Sequence, residues 1–288
     1  MLRNRVRHRC QTRQEPALTT TDPSALIDPY RTTPARLHNA ILGGKDHYTA
    51  DHALATTLAT NAITPAITES HRFTLRAVEY LIDRHGVSQF VDIGCGYPHA
   101  PNIHDIAERR SGTTRTLYID NDPVVATYGR ALLTGPNRFF TDTDVTDTAT
   151  VLADITAVMD TARPIAVCVS GTAELIGDAP AVVAALTDRL PAGTWMVFTH
   201  ITDEVYGDEI HSAVRTLRGA GINYHARGRE EIAAMLTGYR FVTPGLVAPH
   251  RWPLVPSDGD GVRALFAMPR HRAAWDLSAY AAVGQLHR

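Results

Sequence analysis

The chain has 288 residues, 44% of them hydrophobic and 20% charged, with a formal net charge of −2 at pH 7. That is enough apolar material for the core of one large α/β domain with modest additions, and it supplies no global basic field to attract nucleic acid or an anionic membrane. No apolar run reaches the roughly 18–20 residues of a membrane span, the three cysteines form no C-x-x-C pair, and the fourteen histidines show no H-E-x-x-H spacing, so neither a disulfide framework nor a metal site is expected.

In chain order, MLRNRVRHRCQTRQ carries five arginines in its first 13 residues. It has no apolar core of the kind a secretory signal needs. Residues 1–25 read as a disordered basic tail and the protein as cytoplasmic. Residues 26–87 read as a helical cap. A helix starts at Pro34 after Thr33, turns Leu37 and Ile41 to one face, and stops at Gly43-Gly44. A stronger one runs from Thr64-Pro65 to Gly86, with Leu75, Val78, Leu81 and Ile82 at helical spacing. Such helices must pack on the following domain or reach across to a second subunit, and a homodimer is expected on that ground.

From residue 88 strands and helices alternate. Strands are expected at 89–93, 115–120, 137–141, 164–170 and 194–200, and helices near 181–190, 205–218 and 229–237. Two apolar runs, FVTPGLV and VRALFAM, then close the domain as consecutive strands near residue 270, leaving 271–288 as an extension. This order predicts an α/β fold: a Rossmann-like, mostly parallel sheet with a terminal antiparallel hairpin strand.

The first strand, QFVDIG, ends on Asp92 and opens into Gly94-Cys95-Gly96. Glycines there let a ligand press against backbone N–H groups. Asp120 ends the second strand, 26 residues on from Gly94, and a carboxylate at that place suits two ribose hydroxyls. The dinucleotide fingerprint would need glycine at position 99, which is His99. The expected ligand is therefore S-adenosylmethionine rather than NAD.

The glycine turn first and a hairpin last resemble the class I S-adenosylmethionine-dependent methyltransferases, whose open sheet has seven strands. TPARLHNAILGGKDHYTAD, VDIGCGYP, YIDNDPVV and VFTHITDE together are similar to an actinobacterial methyltransferase family marked by a Leu-Gly-Gly-Lys-Asp motif, over roughly residues 30–268. The broader class often has a glycine where this chain has Pro98, and relatives carry Asn and Phe where it has His47 and Tyr48.

The resemblance implies that Asp92 receives the cofactor's amino group, directly or through water, a role favoured over the alternative of a carboxylate that caps the following turn. Gly94 and Gly96 give close approach and Asp120 receives the ribose. Asn121 flanks the adenine, and Asp144-Val145 receives the adenine amino group unless the register shifts to Asp142 or Asp147. Ser170, Gly171 and Thr172 leave strand four where methyl donor and acceptor would meet. Lys45, Asp46 and Tyr48 would fold over the cofactor, with Lys45 near its carboxylate.

Methyl transfer from a sulfonium mainly needs alignment and exclusion of water, and a base only where the acceptor loses a proton. Tyr48, Glu174, His200 and His47 are candidate bases, and spacing singles out none. VSGTAEL lacks the Asp/Asn-Pro-Pro-aromatic motif of DNA amino-methyltransferases. A small-molecule acceptor is expected, and the resemblance points to natural-product tailoring on an indole or cyclic dipeptide. The competing reading is a protein that binds S-adenosylmethionine without turnover.

Overall fold

A computed structural model describes residues 28–252 and 276–287. Three helices come first: α1 (Pro34–Ile41), α2 (Thr49–Leu58) and α3 (Ile63–His85). Thr33 caps α1 with its hydroxyl on the Arg36 N–H, Pro34 fills the first turn, and Gly86 ends α3 in the left-handed region at φ 62°. The alternating part follows as β1 (Gln89–Ile93), α4 (Ile103–Arg110), β2 (Arg115–Ile119), α5 (Pro123–Leu132), β3 (Arg138–Thr141), α6 (Thr148–Val158), β4 (Ala166–Ser170), α7 (Ala179–Thr187) and β5 (Trp195–Ile201). It closes with α8 (Gly207–Gly219), α9 (Arg229–Met235), β6 (Tyr239–Phe241) and β7 (Ala279–Leu286).

These strands form one seven-stranded sheet in the order β3-β2-β1-β4-β5-β7-β6. β1 to β5 are parallel, and β7 runs antiparallel to both β5 and β6. The fold is the Rossmann-like α/β arrangement expected. Strand order reverses between β1 and β4, and a crevice opens at the carboxyl ends on either side of such a switch point.

Both faces of the sheet are covered. Val91, Leu117, Val167 and Phe198 meet Val151, Ile155, Val183, Leu186 and Ile232 of α6, α7 and α9. Phe90, Cys168 and Val197 meet Phe73, Val78 and Leu81 of α3, with Ile106 of α4 and Trp252. Leu37, Leu58, Ile63 and Ile67 of the N-terminal helices pack on Ile201, Ile210, Leu217 and Ile222. The N-terminal helices therefore pack these apolar residues on their own chain.

The last strand differs from expectation. FVTPGLV contributes only Phe241 to β6 and a lone bridge from Val247 to Ala281, while VRALFAM lies outside the described residues, as do residues 1–25. β7 comes instead from AYAAVGQL, within the stretch read as an extension. Its alanines and glycine have low strand propensity on their own, so tertiary contact decides. A Cβ on Gly284 would stand 3.0 Å from both the Phe241 ring and Tyr239 Cβ, so any side chain there would press on both where β7 slots between β5 and β6.

Candidate active site

A cavity of about 560 Å³ opens at the carboxyl ends of β1, β2 and β4, roofed by α1 and the first half of α3. Its floor is the glycine turn. Gly94 (φ 70°) donates its N–H to the Ile119 carbonyl at 2.8 Å, and Gly96 (φ 63°) donates to Asp120 Oδ2 at 2.8 Å. A side chain at Gly94 is impossible without displacement, because its Cβ would lie 2.2 Å from Thr172 Oγ1. That hydroxyl is itself fixed by donating to the Ile93 carbonyl at 2.8 Å.

Asp120 accepts on its other oxygen from the Asp122 N–H at 3.0 Å. Burial pushes Asp120 up to about 6 despite these two bonds. Asp92 is pushed further, to about 7, first by burial and then by the Asp120 charge. Two reluctant carboxylates side by side present a site suited to a cation. Asn121 donates its amide to Asp144 Oδ2 at 2.8 Å, and Asp144 Oδ1 accepts from the N–H and hydroxyl of Thr146. These bonds hold Asp144 below the usual carboxylate range. Asp144 and Val145 line the cavity, whereas Asp142 pairs with Arg130 on the surface and Asp147 caps α6.

Asp92, Gly94, Gly96, Asp120, Asn121, Asp144, Val145, Ser170 and Glu174 therefore share one cavity wall system. Lys45, Tyr48 and His200 do not reach it. His200 follows Thr199 on β5, and alternate residues of a strand point to opposite faces. Ile201 lines the cavity, while His200 is turned away, fully buried, with Nδ1 on the Ile201 carbonyl at 2.7 Å and Nε2 on Arg227 Nη1 at 2.9 Å. Burial pushes it down to about 4. A neutral imidazole with both nitrogens committed is a strut rather than a base. Asp203 is bonded to His211 on the surface.

The segment expected to close over the cavity is pinned in place. Asn39 Oδ1 accepts from the Asp46 N–H at 2.9 Å and lies 3.1 Å from His47 Nδ1. A Cβ on Gly44 would collide with the Asn39 amide at 2.3 Å, so the glycine permits this clamp. Asp51, fully buried, accepts from the N–H groups of Thr33 and Tyr48 and pairs with Arg36 Nε at 2.9 Å. The Arg36 guanidinium in turn covers the Tyr48 ring at 4.9 Å. Lys45 is exposed and Tyr48 is 39% exposed. Tyr48→Ala is accordingly expected to cost about 0.5–1 kcal/mol, the size of an exposed cation–π contact, and to leave turnover within about twofold. Thermal unfolding and rate measurement check this, and a rate loss far beyond the stability loss would return Tyr48 to the reacting centre.

Sequence reasoning missed His38, Ser70, His71, His99 and Tyr224, which also line the cavity. His38 and His71 are partly buried and held below the ordinary imidazole value by desolvation, His71 at about 4. No periodicity distinguishes such residues from ordinary helix-face positions. The signal available was indirect: Gly171, at φ 73°, leaves room for the His38 ring, whose Cε1 would lie 2.8 Å from a Cβ there.

A glycine cradle, a ribose-height carboxylate and a cation-seeking pair at a switch point fit a nucleoside carrying positive charge. The S-adenosyl methyltransferase family model matches residues 20–287. The chain belongs to that family. It is similar to a DUF574 family protein from Streptomyces avermitilis, with 28% identity over 90% of this chain and 99% of that one and a TM-score of 0.79. A candidate methyltransferase from Thermobifida fusca is 29% identical, over 94% and 100%, with a TM-score of 0.78. The plantazolicin methyltransferase BpumL, solved with a triazolic desmethylPZN analogue and S-adenosylhomocysteine, shares the fold alone, with 12% identity over 88% and 96% and a TM-score of 0.51. No curated protein matches the chain. The protein is an S-adenosylmethionine-dependent methyltransferase. None of its described helices is long and apolar enough to cross a membrane, and no metal-binding cluster of three or more His, Cys, Asp or Glu occurs among the described residues.

Proposed function

We propose that this methyltransferase works in the cytoplasm on a small molecule, an aromatic metabolite of the indole or cyclic-dipeptide kind, as a tailoring step in natural-product synthesis. The observation that carries the small-molecule reading is the cavity itself. At about 560 Å³, roofed by α1 and α3, it falls within the roughly 300–1,000 Å³ of small-ligand sites. Tyr97, Tyr118, Tyr224, Ile67 and Leu75 give it flat apolar surface for a ring system. When bound, S-adenosylmethionine supplies an activated methyl group. Asp120 would hold its ribose, Asp92 its amino group, Asn121, Asp144 and Val145 its adenine edge, while Gly94 and Gly96 admit it closely and Ser170 borders the reacting end.

Incubation of the enzyme with methyl-labelled cofactor and bacterial metabolite extracts should yield a labelled small product whose mass identifies the acceptor. Label appearing only in protein or nucleic acid would contradict the reading.

The Asp92 assignment has a proton signature. The free carboxyl sits at about 7, and a bound ammonium group favours the carboxylate. Below that pH binding must therefore expel a proton, and affinity should fall by up to about tenfold per pH unit, levelling off above it. Asp120, Cys95, Tyr118 and Cys168 are the titratable neighbours of this group. Calorimetry with S-adenosylhomocysteine at pH 6.5, in buffers of different ionisation heat, should show proton release that Asp92→Asn abolishes. Equal heats in all buffers would remove Asp92 from the amino site.

A further inference from the structure

Four polar side-chain atoms on the cavity lining have no hydrogen-bond partner among the described residues: Glu174 Oε2, the Tyr224 hydroxyl, Ser70 Oγ and His71 Nε2. Three of these residues are deeply buried, Glu174 at 1% exposure, Tyr224 at 2% and Ser70 at 6%, and His71 is partly buried. Each such atom carries a desolvation cost of about 1–3 kcal/mol unless something meets it, and native proteins hold few of them. The Ile201 N–H donates to Glu174 Oε1 at 3.0 Å, which orients the carboxyl and leaves Oε2 without a partner among the described residues. His38 feels the charge of Glu174 and acts in turn on His71, while the Tyr224 hydroxyl is pushed up by burial and by Glu174, so the groups are neighbours. They come from α3, the 3-10 turn after β4 and the segment after α8, on the far side of the switch point from Asp120.

We propose that this wall is the acceptor subsite and that it selects a nucleophile bearing an N–H or O–H group, whose proton passes to Glu174 Oε2 during methyl transfer. The inference rests on the methyl-acceptor reading above. The acceptor's N–H or O–H bond breaks and its proton joins the Glu174 carboxylate. An electron pair of the same acceptor atom forms the new bond to the methyl carbon, and the S–CH3 pair remains on sulfur as a neutral thioether. Charge balances: a sulfonium and a carboxylate give two neutral groups. Tyr224, Ser70 and His71 meet the acceptor's remaining polar atoms. The groups facing Glu174 are His38 from α1, the Arg227 guanidinium before α9, the Ile201 N–H of β5 and Tyr224. Burial, against the attraction of His38 and Arg227, lifts Glu174 to about 7, near the working pH at which a general base is effective.

The test uses the full chain saturated with S-adenosylhomocysteine and two fragment pairs, indole with 1-methylindole and phenol with anisole, followed by calorimetry. The N–H or O–H member of each pair should bind about tenfold or more tighter, as expected for a hydrogen bond to a charged group. Glu174→Gln should shrink that preference to about twofold or less. Tyr224→Phe should weaken fragment binding while leaving Tm unchanged or higher, because it removes an unmet buried hydroxyl. Equal binding within the pairs, no fragment binding, a preference that survives Glu174→Gln, or a lowered Tm in Tyr224→Phe would each overturn the proposal. Should Glu174→Gln fail to fold, the wild-type preference and Tyr224→Phe still decide. Fragment binding involves no turnover, so an absence of labelled small product in extracts would count against the small-molecule reading and not against this subsite.

Discussion

Replacing Arg227 by leucine is expected to destabilise the protein by about 3–5 kcal/mol and to abolish turnover. The guanidinium is buried and ties three carbonyls of one short stretch. It reaches Ala173 O at 3.1 Å, Ile176 O at 2.8 Å and Gly177 O at 2.9 Å, and it also bonds His200 Nε2. Leucine would leave the half-buried Ile176 carbonyl, the more exposed Gly177 carbonyl and the buried His200 Nε2 without the guanidinium, while Ala173 O keeps only the long 3.3 Å bond from the Ile176 N–H. A buried acceptor left unmet costs about 1–3 kcal/mol. The stretch so released carries Glu174, Leu175, Ile176 and Gly177 of the cavity lining. In a chain of this size the loss should lower Tm by roughly 6–20 °C. Glu231→Ala is the control, since that carboxylate is half exposed and its pairing with Arg227 Nε should be worth at most about 1 kcal/mol. A small Tm change in Arg227→Leu would mean that the turn after β4 holds itself.

Asp120→Ala is expected to weaken cofactor binding by about 1.5–3 kcal/mol, or roughly 10- to 150-fold, with a smaller effect on stability. Both carboxylate oxygens already accept one backbone N–H, from Gly96 and Asp122. Each retains a further lone pair for a ribose hydroxyl. Alanine would remove the ribose contacts and loosen the Gly96 turn at once. In the free protein, however, it would also remove a carboxyl that burial disfavours as a charge. Equilibrium binding of S-adenosylhomocysteine checks the first effect and thermal unfolding the second. Unchanged affinity would place the ribose elsewhere.

Much of this architecture is legible in the residues because its signals are local. Five apolar strands separated by helical periods announce the parallel sheet, and Gly94, Gly96 and Asp120 mark where a nucleoside can lie. β7 is not legible, since an Ala- and Gly-rich strand is chosen by Phe241 and Tyr239 across it rather than by its own propensity. Side-chain direction is the other blind spot. His200 and Ile201 are adjacent in sequence, yet a strand's alternation gives one to the buried Arg227 network and the other to the cavity. Lys45 and Tyr48 belong to a distinctive string, but the Asn39 and Asp51 bonds that hold it form only in the fold. Glu174 is legible as a candidate base, whereas its partners His38, His71 and Tyr224 come from segments up to 186 residues apart and carry no motif.

The central claim is that this cavity is built for S-adenosylmethionine, with Asp120 at its ribose. Calorimetric titration of the wild type and of Asp120→Ala with S-adenosylhomocysteine, and of the wild type with NAD, tests it most directly. One site per chain is expected for S-adenosylhomocysteine, weakened roughly 10- to 150-fold by the substitution, with no heat from NAD. Binding of NAD with no response to S-adenosylhomocysteine would contradict it.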